Sequence, residues 1–318
     1  MLRFVFTDVD KNEVVFENPL KLSINMDENV PAHDMSVLFL YEKVSELCDV
    51  RVLEDNVIVF SGIVDEQQHL MSSSGEYLKI TARSYAARLL DNESVPIGYT
   101  HPSTSVVLKN HATPFSINSI EEDERIYYGS QTVKKGYTNW QAIEDFSKKA
   151  YGTIPRVNEL GEIIFTETED TEVIEFSPFD DEKPVRYESF VSSIKRCEEL
   201  SKVKIKAVNS SGYTSVVENE DAIKRSIIRE RYLNSVLTET PVVYAQKMIQ
   251  NAKAKAFNIT LKCSGAKLTM FLKNASVTLF DRTKISGLYI SSISYSLSKN
   301  DDTTTIILKR KGDYNVAS

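Results

Sequence analysis

Val57-Ile58-Val59-Phe60-Ser61-Gly62-Ile63-Val64 runs through a polar stretch to Ser72-Ser73-Ser74-Gly75, and Tyr77-Leu78-Lys79-Ile80-Thr81-Ala82 follows. Both arms are rich in β-branched and aromatic residues, and the small polar cluster between them supplies a turn, so the passage predicts two joined strands. Upstream, Leu20, Leu22, Ile24 and Met26 alternate with Lys21, Ser23 and Asn25, the period of a half-buried strand. Asp34 to Tyr41 is a more continuous apolar run, as a strand covered on both faces would be. Val50, Val52 and Leu53 lead into a turn at Glu54-Asp55-Asn56. Six or seven short strands within residues 1–95 predict a small barrel or sandwich, which a helical turn at Tyr85 to Leu90 closes.

The same order of features returns near the C-terminus. Val277-Thr278-Leu279-Phe280 precedes Ser286-Gly287-Leu288, a polar turn at Lys299-Asn300-Asp301-Asp302, and Thr305-Ile306-Ile307-Leu308. Each copy reads strand, Ser-Gly, long strand, polar turn, strand. Two related β-modules flanking an α/β insertion would produce this echo, and so would chance, because short apolar strands resemble one another. Within the second copy Leu288 and Ile290 are in phase, whereas Ile293, Tyr295 and Leu297 are shifted by one. Such a slip marks a β-bulge or sharp bend, here at Ser291-Ser292.

Between the copies the pattern changes. Residues 96–176 predict a small α/β domain. Ser103 or Ser105 caps a first helix, and Thr138-Asn139-Trp140-Gln141 is a capping box opening a helix over 138–151. Trp140, Ile143, Phe146 and Ala150 share its face, Gly152 ends it, and Ile154 to Phe165 reads as a hairpin. Residues 177–240 predict a mixed β segment, part of a second barrel plus an insertion. There Ser192 to Ile194 pairs with Val203 to Ala207, and Ser210-Ser211-Gly212 turns into Tyr213 to Val217. Residues 241–318 begin with a helix capped by Thr240 and Pro241, with Ala245, Ile249, Ala252 and Ala256 on one face. Strands starting with Ile259, Leu261 and Cys263 complete the second barrel. The fold class is mainly β with α+β insertions.

The 318 residues hold 38 Lys and Arg against 45 Asp and Glu, a net charge of −7, which argues against a duplex-DNA binder. No apolar run approaches the roughly 18 residues of a membrane helix. The start turns acidic at Asp8 and Asp10, too early for a secretory signal. Cys48, Cys197 and Cys263 are too few and too widely spaced for a disulfide framework, which fits reduced thiols and assembly in a cytosol. Cys48 and Cys263 sit in strand contexts that suit small buried hydrophobes. His33, His69, His101 and His111 show no metal-binding spacing and flank turns, so surface positions are expected for them.

Asp8-Val9-Asp10-Lys11-Asn12 starts like a calcium loop, but Glu13 and Pro19 stand where that loop needs Gly and Glu, so a hairpin turn is the reading. Glu121, Glu122, Asp123 and Glu124, or Glu159 and Glu162, would serve a glycosidase only if two carboxylates faced each other across about 5 to 10 Å of a cleft. No G-x-S-x-G, HExxH or P-loop motif occurs. Lys195-Arg196, Lys202, Lys204 and Lys206, Lys224-Arg225, Arg229 and Arg231, and Lys309-Arg310-Lys311 read as solvated or subunit-facing charges, or as guards on strand edges. No catalytic, cofactor-binding or metal-ligating residue is assigned, and no cofactor is expected.

Val57 to Val64 leading into Tyr77 to Leu90 resembles the first domain of the baseplate hub proteins of contractile phage tails and phage-tail-like bacteriocins. Lys135 to Ile143, with Gly152, Pro155 and Gly161, resembles their second domain, and Tyr289-Ile290 through Leu308 resembles their closing stretch. The hub part of type VI secretion spike proteins is similar as well. The resemblance implies two tube-like β-barrel domains plus smaller α/β domains, and a homotrimer whose six barrels join a six-fold tail tube to a three-fold central spike carried on a separate polypeptide. The implied partners are further copies of the chain, the spike protein, the tube protein and other baseplate components, with no membrane and no nucleic acid. The implied location is the baseplate of a virion or tail-like particle assembled in the bacterial cytoplasm. A tail-associated cell-wall hydrolase and a receptor-binding or adaptor module are the competing readings.

Overall fold

The computed structural model describes residues 1–120, 124–166, 172–180, 184–206, 211–234 and 241–310. The fold is mainly β with α+β insertions. Its contacts divide into two compact units. The first takes residues 1–166 with 264–271 and 292–305, and the second takes 172–263, 272–291 and 306–310.

The first unit opens with β1 (Leu2–Asp8), β2 (Glu13–Glu17), β3 (Lys21–Asp27), β4 (Asp34–Leu40), β5 (Leu47–Glu54), β6 (Val57–Ser72) and β7 (Gly75–Ser84). Asp8 builds the first turn, its carboxylate accepting from Asp10 N–H at 2.9 Å and from Asn12 N–H at 2.8 Å. The calcium-like pentapeptide is therefore a hairpin turn. These strands lie side by side in the order β3-β4-β7-β6-β5-β1-β2, so three strands separate β4 from β1. Yet Phe39 of β4 lies edge-on to Phe4 of β1 at 5.3 Å and stacks on Phe16 of β2 at 4.8 Å. Those contacts require the sheet to curl until its far strands face each other, an open barrel filled by aromatic rings. Gly62 is the close-approach point of the β6–β7 ladder: a Cβ there would meet the Arg83 carbonyl at 2.0 Å. One expectation fails here. On β4 only Met35, Val37 and Phe39 are buried, and Leu40 is 65% exposed, because this antiparallel sheet packs one face only.

The unit continues through α1 (Ala87–Asp91), β8 (Ile97–Thr100), α2 (Thr104–His111), β9 (Asn118–Ser119), β10 (Ser130–Val133), α3 (Asn139–Ala150), β11 (Arg156–Val157) and β12 (Glu162–Ile164). Ser103 caps α2, and both halves of the Thr138–Gln141 capping box are formed on α3. Trp140, Ile143 and Phe146 are buried with Ala86, Ala87 and Leu89, and the same cluster takes in Ala32 and Ile63 of the strand module, so α1 packs against the α/β segment and the strands alike.

The second unit comprises β13 (Val173–Ser177), β14 (Val185–Arg186), β15 (Ser189–Ile194), β16 (Lys202–Lys206), β17 (Tyr213–Glu218), α4 (Glu220–Lys224), β18 (Glu230–Asn234), α5 (Pro241–Ala256), β19 (Phe257–Ser264) and β20 (Asn274–Thr278). Portions of β21 (Lys284–Ser298) and β22 (Asp301–Arg310) belong to each unit. Its main sheet runs β13-β20-β21-β22-β19. The single segment 185–194 bonds to both ends: Tyr187 N–H donates to Ser177 O at 3.0 Å, and Glu188 N–H donates to Lys262 O at 2.7 Å. One continuous stretch touching the first and last strands rolls the sheet into a barrel. Inside it Ile259, Leu261, Cys263, Val277, Leu288 and Ile290 are buried.

Within this unit β16 is the centre of a separate three-stranded sheet, antiparallel to β17 and parallel to β18. Val203 and Ile205 pack under Ala245, Ile249 and Ala252 of α5. The expected pairing of Ser192–Ile194 with Val203–Ala207 is not observed: β15 pairs with β19, and β16 pairs with β17 and β18. Both candidate partners carry acceptable apolar patterns, and only the chain's long return through α5 selects between them. Thr240, Ala207 and Ser210 lie outside the described residues.

Each copy of the echo contains a long hairpin. Strands of 16 and 10 residues form the β6–β7 hairpin, and strands of 15 and 10 residues form β21–β22. The quoted tetrapeptides are offset, since Val57 follows the turn that opens its long strand whereas Val277 precedes one. Gly287 also differs from Gly62. Its φ is +72° with open space around it, and with Ser286 it faces the single residue Ser276 between the pairs Ala275–Leu288 and Val277–Ile285, a bulge that favours glycine. The predicted slip at Ser291-Ser292 falls where β21 leaves one unit and enters the other. Leu288 and Ile290 serve the second core, and Ile293 and Tyr295 serve the first.

Phe39→Ala should destabilise the chain by about 3–5 kcal/mol, because it removes the ring that joins opposite walls of the open barrel. Denaturant unfolding checks this. A loss below about 1 kcal/mol contradicts the curled-sheet core.

Candidate functional site

The acidic candidates are engaged in local structure. Glu124 accepts from the Ser105 hydroxyl at 2.8 Å and from Ser105 N–H at 3.2 Å, at the start of α2. The Ser103 and Ser105 hydroxyls hold its carboxyl below the ordinary range, the wrong direction for a general acid. Glu121, Glu122 and Asp123 lie outside the described residues. Glu162 accepts from Asn158 Nδ2 at 2.9 Å, while Asn158 Oδ1 accepts from Leu160 N–H and Glu162 N–H at 3.0 and 2.9 Å. That asparagine organises the β11–β12 turn, and Glu159 stands exposed on it.

A groove of about 450 Å³ lies over β13, β20 and β21 in the second unit, at the Gly287 bulge. It holds one carboxylate, Glu175, ion-paired to Lys284, beside Ser276 and Ser286. A glycosidase needs two carboxylates working together, and the groove's lining does not supply them. Among the described residues no group of three His, Cys, Asp or Glu side chains is placed to hold a metal. No described helix is long and apolar enough to cross a membrane.

The histidines depart from the surface expectation in one clear case. His111 is 2% exposed. Its Nδ1 lies 3.1 Å from both Ser94 Oγ and Asn139 Oδ1, and its Nε2 lies 2.9 Å from Tyr99 OH. Polar partners on both ring nitrogens make burial tolerable, and the ring ties α2 to α3 and β8. Nothing in the spacing of these four residues announces that they converge. Burial lowers the His111 pKa below its usual value, and burial lowers that of His33 to about 4. His69 is exposed, stacked on Tyr41 at 3.6 Å and 3.0 Å from Glu76.

The basic stretch on β16 is largely neutralised across the strands. Lys202 pairs with Glu218 at 2.7 Å and Lys204 with Glu230 at 2.6 Å. Arg225 meets the buried carboxylate of Glu199, and Arg229 lies 3.6 Å from Glu198. Lysines already satisfied by a neighbouring strand offer a nucleic-acid backbone few ready contacts.

Two rolled β units with α/β segments along the chain form a mainly β fold shared with phage tail proteins and type VI secretion proteins. No family model matches the chain, and no curated protein matches it. Among solved structures it is similar to the 43 kDa tail protein of prophage MuSo2 from Shewanella oneidensis, at 14% identity and a TM-score of 0.78 over 98% of both chains. It is also similar to a tail protein from Neisseria meningitidis, at 17% identity and a TM-score of 0.74, covering 98% of this chain and 97% of that one. A component of the E. coli type VI secretion system, itself described as structurally similar to the bacteriophage T4 tail proteins gp27 and gp5, matches at 9% identity and a TM-score of 0.51, over 93% of this chain and 74% of that one.

The depressed histidines make stability depend on pH. A folded-state pKa below the unfolded value means that the unfolded chain takes up protons first. Stability is therefore complete above about pH 6.5 and declines as the pH falls toward 4. Calorimetry should show the melting temperature falling between pH 7 and 5, with a shallower fall for His33→Gln. Equal slopes for the two proteins contradict the assignment to His33.

Proposed function

We propose that this protein is the structural baseplate hub of a contractile tail or tail-like particle. In this reading three copies assemble about one axis, and their six barrel units form a ring. One side of the ring meets the six-fold tail tube and the other meets a three-fold central spike. The protein belongs to the baseplate of a virion or phage-tail-like particle, is assembled in the bacterial cytoplasm and contacts other baseplate components. Its role is mechanical coupling and symmetry adaptation, not catalysis.

The observation that carries this reading is the doubled architecture: two rolled units and two long hairpins in one chain, β6–β7 in the first unit and β21–β22 shared between the two, in a fold whose likeness to phage tail proteins spans nearly the whole chain. Pseudo-duplication supports the proposed task, because a chain containing two similar units turns three copies into six approximately equivalent positions. Subunit contacts of obligate character bury about 2,000 Å² or more, and extended barrel walls have the surface for this.

Sedimentation equilibrium of the purified chain at micromolar concentration should give three times the chain mass, and the trimer should capture tube and spike proteins of the same particle. A zymogram of the pure protein should show no clearing of peptidoglycan. A monomer at these concentrations sinks the trimer, and a cleared zymogram moves the protein to the hydrolase class.

A further inference from the structure

The groove over β13, β20 and β21 is lined by a group that the fold leaves unsatisfied. Ser276 is 2% exposed, and its Oγ has no hydrogen-bond partner. A buried hydroxyl without a partner costs free energy, so native proteins pair such groups with protein, water or ligand. The register shows how this one arises. On β13, Glu175 stands opposite Ser276, and on β21 the bulge at Ser286-Gly287 faces it. Alternation along β20 sends Ala275 and Val277 into the core and turns Ser276 toward the groove. Glu175 and Lys284 meet across β20, and both side chains are half-exposed. An exposed ion pair contributes little to stability, so a ligand that hydrogen-bonds to either partner gives up little by loosening it. Asn274 and Ser286 add an amide and a second hydroxyl to the lining, while exposed Val173 and the open backbone at Gly287 add an apolar wall.

We infer that this groove is a binding site for a small neutral saccharide, a monosaccharide or disaccharide, which it holds without cleaving. Its volume of about 450 Å³ lies within the range of ligand sites. The lining carries one anion and one cation, so an anionic ligand would face Glu175 and a cationic ligand would face Lys284. Neighbouring sugar hydroxyls suit both: one donates to the carboxylate, and the next accepts from the ammonium. A further hydroxyl supplies the partner that Ser276 lacks, and the C–H face of the ring rests against Val173. Glycoside cleavage needs a second carboxylate across the bond, and the groove's lining holds only Glu175. Every residue of the site belongs to the second unit, so nothing in it depends on the trimeric ring.

Saturation-transfer difference NMR of the full chain with glucose, galactose, N-acetylglucosamine and diacetylchitobiose tests this, with glycylglycine as a zwitterionic control. At least one saccharide should bind with a Kd on the order of 1 mM. Ser276→Ala and Glu175→Gln should each weaken that binding at least tenfold. Ser276→Ala should also melt no lower than the unmodified chain, because the hydroxyl it removes has no protein partner to lose. No saccharide signal at about 20 mM overturns the assignment, and so does binding that both variants leave unchanged. Binding of glycylglycine alone assigns the groove to a zwitterion, which also overturns it. A lower melting temperature for Ser276→Ala, with no saccharide bound by the unmodified chain, gives the hydroxyl to a structural water and overturns it too. If Ser276→Ala does not fold, Glu175→Gln decides. Each of these outcomes leaves the hub reading to its own test, the mass of the assembled chain.

Discussion

A β-strand shows alternate side chains to opposite faces, so one strand in strict register presents one row of residues to one core. β21 serves two cores. Leu288 and Ile290 face the interior of the second unit, and Ile293 and Tyr295 face that of the first, with Ser291 and Ser292 between them. The buried row changes from even to odd positions at the serine pair, so each core takes one of the strand's two alternating rows. The buried Ser291 hydroxyl donates to the Ile307 carbonyl at 3.1 Å. The two units are thereby products of a single continuous hairpin as well as of their own strands.

Much of this was legible in the amino-acid order because the signals are local. The change of buried row in β21, the Thr138–Gln141 box and the Asp8 turn each depend on residues within a few positions, and each appears where periodicity and capping chemistry place it. What depended on distant partners was not legible. β15 and β16 both have acceptable patterns, yet they join different sheets. His111 looks like any histidine near a turn until Ser94, Tyr99 and Asn139 converge on it from separate elements. Leu38 and Leu40 made β4 read as buried on both sides, whereas Leu40 is an exposed apolar residue on a one-sided sheet. The Ser-Gly pairs of the echo look alike and act differently, Gly62 for close approach and Gly287 for its positive φ.

For the candidate site the lesson runs the other way. The acidic clusters that give a sequence its enzyme-like look cap a helix at Glu124 and sit at a turn at Glu159 and Glu162. The carboxylates of Glu124 and Glu162 are committed to a backbone amide, a hydroxyl and an asparagine side chain, which is how short polar segments secure turns in a protein rich in strands. The proposed work of the molecule lies in the doubled barrel plan, a feature that no single residue carries and that coupling of a six-fold to a three-fold body would use directly.

Electron microscopy of the purified trimer viewed along its axis tests the symmetry claim most directly. The account predicts six lobes around the axis, alternating between two kinds and repeating every 120°. Three lobes, or a particle with only two-fold symmetry, would contradict it.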